Sequence, residues 1–248
     1  MRYAHSLGSM SSAKMDSKLK KPLDYINLVL QIIEHLLSWP GPENEDSVKM
    51  PFLVIESTNK LKRAYIIKLN QIVSFSFPFQ ICSNKNSLQY ELHVRYRDID
   101  VTPEILSRMR VLFNDYVLYK DQLSYSAIAS SQDIQDTDML VAIRMFEMLM
   151  LAEPAYVRYD YDPKGTKGVK HPLFHFDYNF IKENQYKIGL HSCINFSQLE
   201  DMICIDTDSW YVAKYRESLY EKSKRLKAIL SKSQKRRSKG GKTAMFKN

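Results

Sequence analysis

The stretch HPLFHFDYNF, which begins at His171, contains residue types that carry out acid–base and metal chemistry. His171 and His175 are four residues apart, and Asp177 follows two residues later. Imidazoles and carboxylates are the side chains that most often transfer protons near neutral pH or bind divalent metals. A metal site, an acid–base pair and the polar face of a β-strand are therefore three interpretations of this stretch.

The local pattern of this stretch predicts a β-strand over residues 172–180, because Pro172 disfavours a helix and aromatic residues alternate with polar ones. Strand residues advance about 3.4 Å each, so the Cα atoms of His171 and His175 should lie about 13 Å apart. We therefore reject a simple HxxxH zinc motif. The aromatic side of the strand is expected to face the core, and it comprises Phe174, Phe176, Tyr178 and Phe180.

Two further strands are predicted near residues 155–161 and 186–191. A turn between the last two strands would pair Phe180 with Tyr186, and therefore His175 with His191. In this register one face of the sheet gathers the candidate catalytic residues Arg158, Asp160, His171, His175, Asp177 and His191, together with Lys187. Two imidazoles, an orienting carboxylate and a cation for developing negative charge are what metal-independent phosphodiester cleavage needs.

Alternative interpretations of this face stay open. His175, His191 and Asp177 could hold a divalent metal; otherwise no cofactor is expected. Polar residues at alternate positions are also typical of the solvated face of any antiparallel sheet. Non-catalytic binding of a ligand or of nucleic acid is a further alternative. The chain contains no GxGxxG or GxxxxGK[ST] loop, which disfavours the nucleotide-binding folds that depend on them.

Helical periodicity and strand alternation interleave along the chain. Apolar residues at spacings of three and four predict a helix that begins at Pro22, and Thr102 followed by Pro103 predicts the start of another. A helix over 138–153 is apolar almost all round and is expected to be the most buried. Helices are also predicted near 196–204 and 209–230, and antiparallel strands within 51–97. These elements predict one α+β domain over residues 21–221, an antiparallel sheet with helices packed mainly on one face.

The positive charge of the chain is concentrated at its end. Residues 222–248 hold 11 Lys and Arg and no Asp or Glu, whereas the rest of the chain holds 25 against 28. This composition predicts a basic, largely disordered tail that attracts the phosphates of nucleic acid. The predicted nucleic-acid-binding residues are Arg95, Arg97, Lys187, Lys235, Arg236 and Arg237.

The first twenty residues are small, polar and without a pattern. We predict that residues 1–20 are disordered or precede the native start, for which Met10 and Met15 are candidates. Apolar runs are too short to cross a membrane and no signal peptide is recognised, so a cytoplasmic protein without a membrane partner is expected. Three cysteines without CxxC spacing are expected to be reduced thiols.

The segment RYDYDPKGTKGVKHPLFHFDYN resembles a family of uncharacterised bacterial proteins. Members of that family share an Arg-Tyr-Asp-Tyr-Asp stretch, a short loop and a His-Pro-x-x-His motif. The matching residues are Arg158, Tyr159, Asp160, Tyr161, Asp162, His171, Pro172 and His175. Some members lie near mobile-element and defence genes, and the resemblance implies no assigned activity. The segment GLHSCINF departs from the family pattern, so the resemblance does not extend to His191.

These observations predict a nucleic-acid-associated bacterial protein, specifically a defence or toxin-type nuclease that uses the His/Asp/Arg face. The alternative is a non-catalytic subunit of a multi-protein defence complex. In that case a partner encoded nearby would bind the helix over 22–38 and the aromatic surface.

Overall fold

The computed structural model of the chain describes residues 2–7, 19–38, 50–58, 61–84, 91–132, 135–204 and 207. The chain divides into two compact units, residues 1–193 and 194–248, which are described separately. In the described part of the first unit the strands are β1 (Arg2–Ser6), β2 (Phe52–Ser57), β3 (Lys62–Lys68), β4 (Gln71–Ser76), β5 (Gln80–Asn84), β6 (Glu91–Tyr96), β7 (Ile99–Asp100), β8 (Val157–Tyr161), β9 (Phe174–Tyr178) and β10 (Tyr186–Leu190). The helices there are α1 (Pro22–Leu37), α2 (Pro103–Tyr119), α3 (Tyr125–Ser130) and α4 (Thr137–Leu151).

Seven strands form one antiparallel sheet in the order β1-β2-β3-β4-β8-β9-β10, and β5-β6-β7 form a smaller one. Helices pack against the sheet, so the predicted α+β fold is confirmed. The strands β8, β9 and β10 fall within the predicted ranges, although each is shorter than expected. Among the described residues no helix has the length and apolar character needed to cross a membrane.

The amino-terminal strand belongs to the main sheet. β1 pairs antiparallel with β2, with Tyr3 opposite Ile55, and Tyr3 and Leu7 are buried in the hydrophobic core. Leu19 is buried in the same core. The expectation that residues 1–20 lie outside the fold is therefore wrong for these positions, because two apolar side chains beside a paired strand are enough to anchor it. Residues 8–18 lie outside the described part.

The main core lies between the sheet and the helices α1, α2 and α4. α1 begins at Pro22 as predicted and buries eight of its residues. The apolar side chains of α1 are therefore covered by the core, and docking of a partner on this helix stays a prediction. α4 buries five residues and leaves Leu151 86% exposed, so it is not the most buried helix described.

The second unit is described for one helix, α5 (Phe196–Ile203). Asn195 caps its first turn by accepting a hydrogen bond from the backbone N–H of Gln198, whose side chain in turn accepts from the N–H of Asn195. The helix predicted over 196–204 is thus confirmed. The helix predicted over 209–230 and the tail over 222–248 lie outside the described residues.

Candidate functional site

Two cross-strand rows on β8, β9 and β10 position the polar side chains. In the first row Arg158 lies opposite Asp177, which lies opposite Lys187. In the second row Asp160 lies opposite His175, which lies opposite Gly189. Partners in register project from the same side of a sheet, so both rows share one face. We call Arg158, Asp160, His171, His175, Asp177 and Lys187 the polar cluster.

The register between β9 and β10 differs from the predicted one by two residues. Tyr186 pairs with Tyr178 rather than Phe180, because β9 ends before Asn179, whose φ of 58° is left-handed. A shift of two residues preserves the face of every side chain, which is why the cluster still forms. It carries His191 past the end of β10, where its side chain is exposed. The predicted pairing of His191 with His175 is therefore wrong, and the described group of potential metal ligands contains Asp160 in its place.

Three members of the polar cluster are buried rather than solvated. His175 is 1% exposed, Asp177 2% and Asp160 8%, so the interpretation as a solvated sheet face is wrong. Arg158 lies opposite Val73 of β4, which packs against the main core. The cluster therefore shares a sheet face with the main core. Phe176, on the aromatic side of β9, is buried as predicted, so both sides of β9 are covered.

The loop between β8 and β9 brings His171 back to the cluster. Asp162 N–H donates to the carbonyl of Leu173, and Lys167 N–H donates to the carbonyl of His171. These bonds close the loop before β9 begins at Phe174, so the ring centroids of His171 and His175 are 4.7 Å apart. The expected separation of these histidines along one strand is wrong, because His171 precedes the strand.

A single lysine links both imidazoles. Lys187 Nζ lies 3.0 Å from His175 Nε2, 3.2 Å from His171 Nε2 and 3.2 Å from Asp177 Oδ1. His175 Nδ1 lies 2.8 Å from the carbonyl oxygen of Pro172, which only accepts, so Nδ1 carries the proton and Nε2 accepts from Lys187. The side chains of His171 and Lys187 are 33% and 29% exposed. The cluster is thus reached from solvent through these two groups.

Arg158 holds the two carboxylates in place. Its guanidinium donates to Asp160 Oδ2 at 2.7 and 2.8 Å and also to Asp177 Oδ2. Burial alone would lower the pKa of Arg158, but Tyr156, Asp160 and Asp177 together raise it, so the guanidinium stays charged. Gln71 on β4 donates to the other oxygen of Asp160 at 2.8 Å. Two cations and two carboxylates therefore balance within the buried cluster.

The loop that carries His171 also carries three lysines that the strand patterns did not single out. Lys164, Lys167 and Lys170 are exposed and spaced three residues apart in the segment KGTKGVK. Asp162 accepts a hydrogen bond from Gly165 N–H at 2.7 Å, which lowers the pKa of Asp162 and stabilises the tight turn in the loop. The regular basic spacing in the sequence is the pattern that could have identified them.

The chain was compared with family models, curated proteins and solved structures. None of them matches it. The assignment to the bacterial family therefore stays a prediction, and the chemistry of the site is argued from its own geometry.

The other predicted nucleic-acid-binding residues lie outside the polar cluster. Arg95 on β6 forms a salt bridge with Asp100 and lies opposite it in the ladder, so its charge is already paired. Arg97 follows β6 in a left-handed turn and lies over the ring of Tyr96. Arg95 and Arg97 therefore do not share one strand face, because β6 ends at Tyr96, and their binding of nucleic acid stays a prediction. The tail residues Lys235, Arg236 and Arg237 lie outside the described part.

Proposed function

We propose that this chain is a nucleic-acid-associated protein that cleaves phosphodiester bonds at the polar cluster without a metal. The observation that carries the proposal is the contact of Lys187 Nζ with both imidazole Nε2 atoms, with His171 and Lys187 partly exposed. The proposed defence or toxin-type role rests on the resemblance alone. The chemistry rests on the side chains of the cluster.

His171 is the acid–base group in this proposal. As the exposed imidazole, it takes the proton from the attacking hydroxyl or water and returns it to the leaving oxygen as the P–O bond breaks. Lys187 pairs with the negative charge that develops on the phosphoryl oxygens. His175 is buried and does not touch the substrate; it positions Lys187 from behind through its Nε2.

Positive charge beside His171 supports a polyanionic substrate. The exposed Lys164, Lys167 and Lys170 precede His171 in the same loop, and the basic tail adds 11 Lys and Arg. Lysine contacts with phosphates attract nucleic acid without reading its sequence. The proposal therefore includes binding that weakens steeply as the salt concentration rises.

Cleavage of end-labelled single- and double-stranded RNA and DNA tests the proposal, with EDTA and with Mg²⁺ or Mn²⁺. We expect activity in EDTA, and a loss of about 100-fold or more for His171→Gln and for Lys187→Met, since acid–base groups and cations that stabilise developing charge each contribute at least that much. Lys182→Met is the matched control, because Lys182 is an exposed lysine in the turn before β10. Intact substrates under every condition would overturn the proposal.

A further inference from the structure

Three buried side chains in the polar cluster have the composition of a transition-metal site. One ligand-type atom each from Asp160, His175 and Asp177 lie within 4.8 Å of one another. His175 Nε2 is 3.4 Å from Asp160 Oδ2. Tetrahedral zinc bonds of about 2.1 Å place neighbouring ligand atoms about 3.4 Å apart, so this pair already has the required spacing. The third ligand-type atom, from Asp177, lies within 4.8 Å of the other two.

The surrounding groups orient the ligand atoms. His175 donates from Nδ1 to the carbonyl of Pro172, which leaves Nε2 as the coordinating nitrogen. Gln71 donates to Asp160 Oδ1 and so leaves Oδ2 turned towards His175. Metal-binding histidines almost always donate their second nitrogen to a carbonyl or carboxylate in this way. This arrangement does not follow from strand alternation, because it depends on Pro172 in the loop and on Gln71 in a distant strand.

Asp177 supplies an independent indication of a cation. Its Oδ1 atom is buried and accepts no hydrogen bond from the described residues, although Arg158 binds its Oδ2 atom. Buried carboxylate oxygens normally accept hydrogen bonds, so an oxygen without one is costly to keep. The cation nearest to Oδ1 is Lys187 Nζ at 3.2 Å, at ion-pair distance.

The Lys187 ammonium lies beside two of the three candidate ligand residues. It contacts His175 Nε2 and Asp177 Oδ1, which belong to two of the three candidate ligands. It also contacts Nε2 of a second imidazole, His171. A lysine is a compact charge on a flexible stem, and this one is partly exposed, so it is able to swing towards solvent.

We propose that Asp160, His175 and Asp177 form a binding site for a divalent transition metal of the Zn²⁺ class, and that the Lys187 ammonium competes with the ion for it. Imidazole with carboxylate ligands favours Zn²⁺, Co²⁺ or Mn²⁺ over Ca²⁺ and Mg²⁺. Arg158 stays bound to both carboxylates and shares Asp160 Oδ2 with the ion. Together with the competing Lys187 ammonium, this contact limits the affinity of the unmodified protein for the metal. The inference goes beyond the proposed cleavage, because it concerns metal binding alone.

Metal titration of the untagged full-length protein tests the site. Calorimetry with Zn²⁺ and visible absorption with Co²⁺ compare the unmodified protein with Lys187→Met and with the matched control Lys182→Met. We expect Lys187→Met to bind about tenfold tighter or more, because it leaves buried carboxylates without their competing ammonium. Lys182→Met should bind as the unmodified protein does.

The ligand assignment is tested in the Lys187→Met background. Adding Asp177→Asn or His175→Gln should abolish the gain in affinity, whereas adding His191→Gln should preserve it, because His191 lies beyond β10. Binding to Lys187→Met no tighter than to Lys182→Met overturns the proposal, as does tight binding that survives Asp177→Asn. If Lys187→Met unfolds alone, folding on addition of Zn²⁺ but not of Mg²⁺ supports the site, and failure to fold with either overturns it.

Discussion

At the scale of single residues, Arg158 is the group on which the buried charges of the cluster depend. It binds Asp160 and Asp177 together, and Asp177 is almost fully buried. Arg158→Met should lower the free energy of unfolding by about 3 kcal/mol, because removing one partner leaves a buried charge uncompensated. Urea denaturation followed by circular dichroism measures the loss.

The control for this prediction is an exposed arginine with one carboxylate partner. Arg108 donates to Asp136 at 2.8 Å, and the side chains of both are partly exposed. Arg108→Met should cost no more than about 1 kcal/mol, as exposed ion pairs do. Equal losses for the two variants would show that burial adds nothing to the Arg158 interaction.

The sheet face on which each side chain lies was easier to predict from the sequence than whether that side chain is buried. Alternation correctly placed Arg158, Asp160, His175 and Asp177 on one face, because the side-chain period of a strand is two. The same alternation occurs in a solvated face and in a buried polar network, so it could not show that His175 is covered. The position of His171 depended on hydrogen bonds within the loop, which have no periodic pattern.

At the scale of elements, Gly189 allows the loop before β9 to pack against β10. A Cβ atom at Gly189 would lie 2.8 Å from Pro172 Cγ and 3.3 Å from Pro172 Cβ. The proline ring is rigid, so Gly189→Ala should displace it together with the carbonyl that binds His175 Nδ1. We expect a stability loss of about 1–3 kcal/mol, as for other overpacked sites.

Nuclear magnetic resonance of the His175 ring provides a specific readout of the Gly189→Ala change. The Nδ1–H resonance should shift or exchange faster with water, because its bond to Pro172 lengthens. Gly168→Ala serves as the comparison in the same loop. A Cβ atom at Gly168 would meet no atom within 4 Å, but the residue has a φ of +60°, so this variant tests backbone strain without a clash. An unchanged His175 resonance in Gly189→Ala would contradict the proposed packing role.

Elements with local sequence features could be predicted, and those made by distant pairing could not. Thr102 and Pro103 mark the start of α2, and Thr102 accepts a hydrogen bond from the N–H of Ile105 as an N-cap does. β1 has no such feature, because its five residues become a strand only by pairing with β2, about fifty residues later.

At the scale of the whole molecule, one face of the main sheet carries an apolar region and a charged region side by side. β1 to β4 place apolar side chains against the helices, whereas β8 to β10 continue the same face with paired charges. An apolar core of this size is sufficient to stabilise a domain, so burial of two carboxylates adds cost without being needed for folding. This contrast supports a functional rather than a structural reason for the cluster.

The contact between His5 on β1 and His35 on α1 makes the stability of the whole unit depend on pH. His35 Nε2 lies 3.3 Å from His5 Nδ1, and burial, followed by the charge of His5, lowers the pKa of His35 below its usual 6.5. The unfolded chain therefore binds more protons than the folded chain below pH 6.5, and stability falls as the pH falls through this range. The carboxylates with lowered pKa values, such as Asp162, lose their contribution only at more acidic pH.

Urea denaturation of the unmodified protein and of His35→Gln between pH 7.5 and 5 isolates this contribution. We expect the free energy of unfolding of the unmodified protein to decrease more steeply below about pH 6.5 than that of the variant, because glutamine does not titrate. Comparing slopes cancels the contributions of all groups that both proteins retain. His93→Gln is the control, since His93 lies in the smaller sheet and not at the β1–α1 contact. Parallel slopes for the unmodified protein and His35→Gln would mean that the His5–His35 contact does not couple β1 to the stability of the unit.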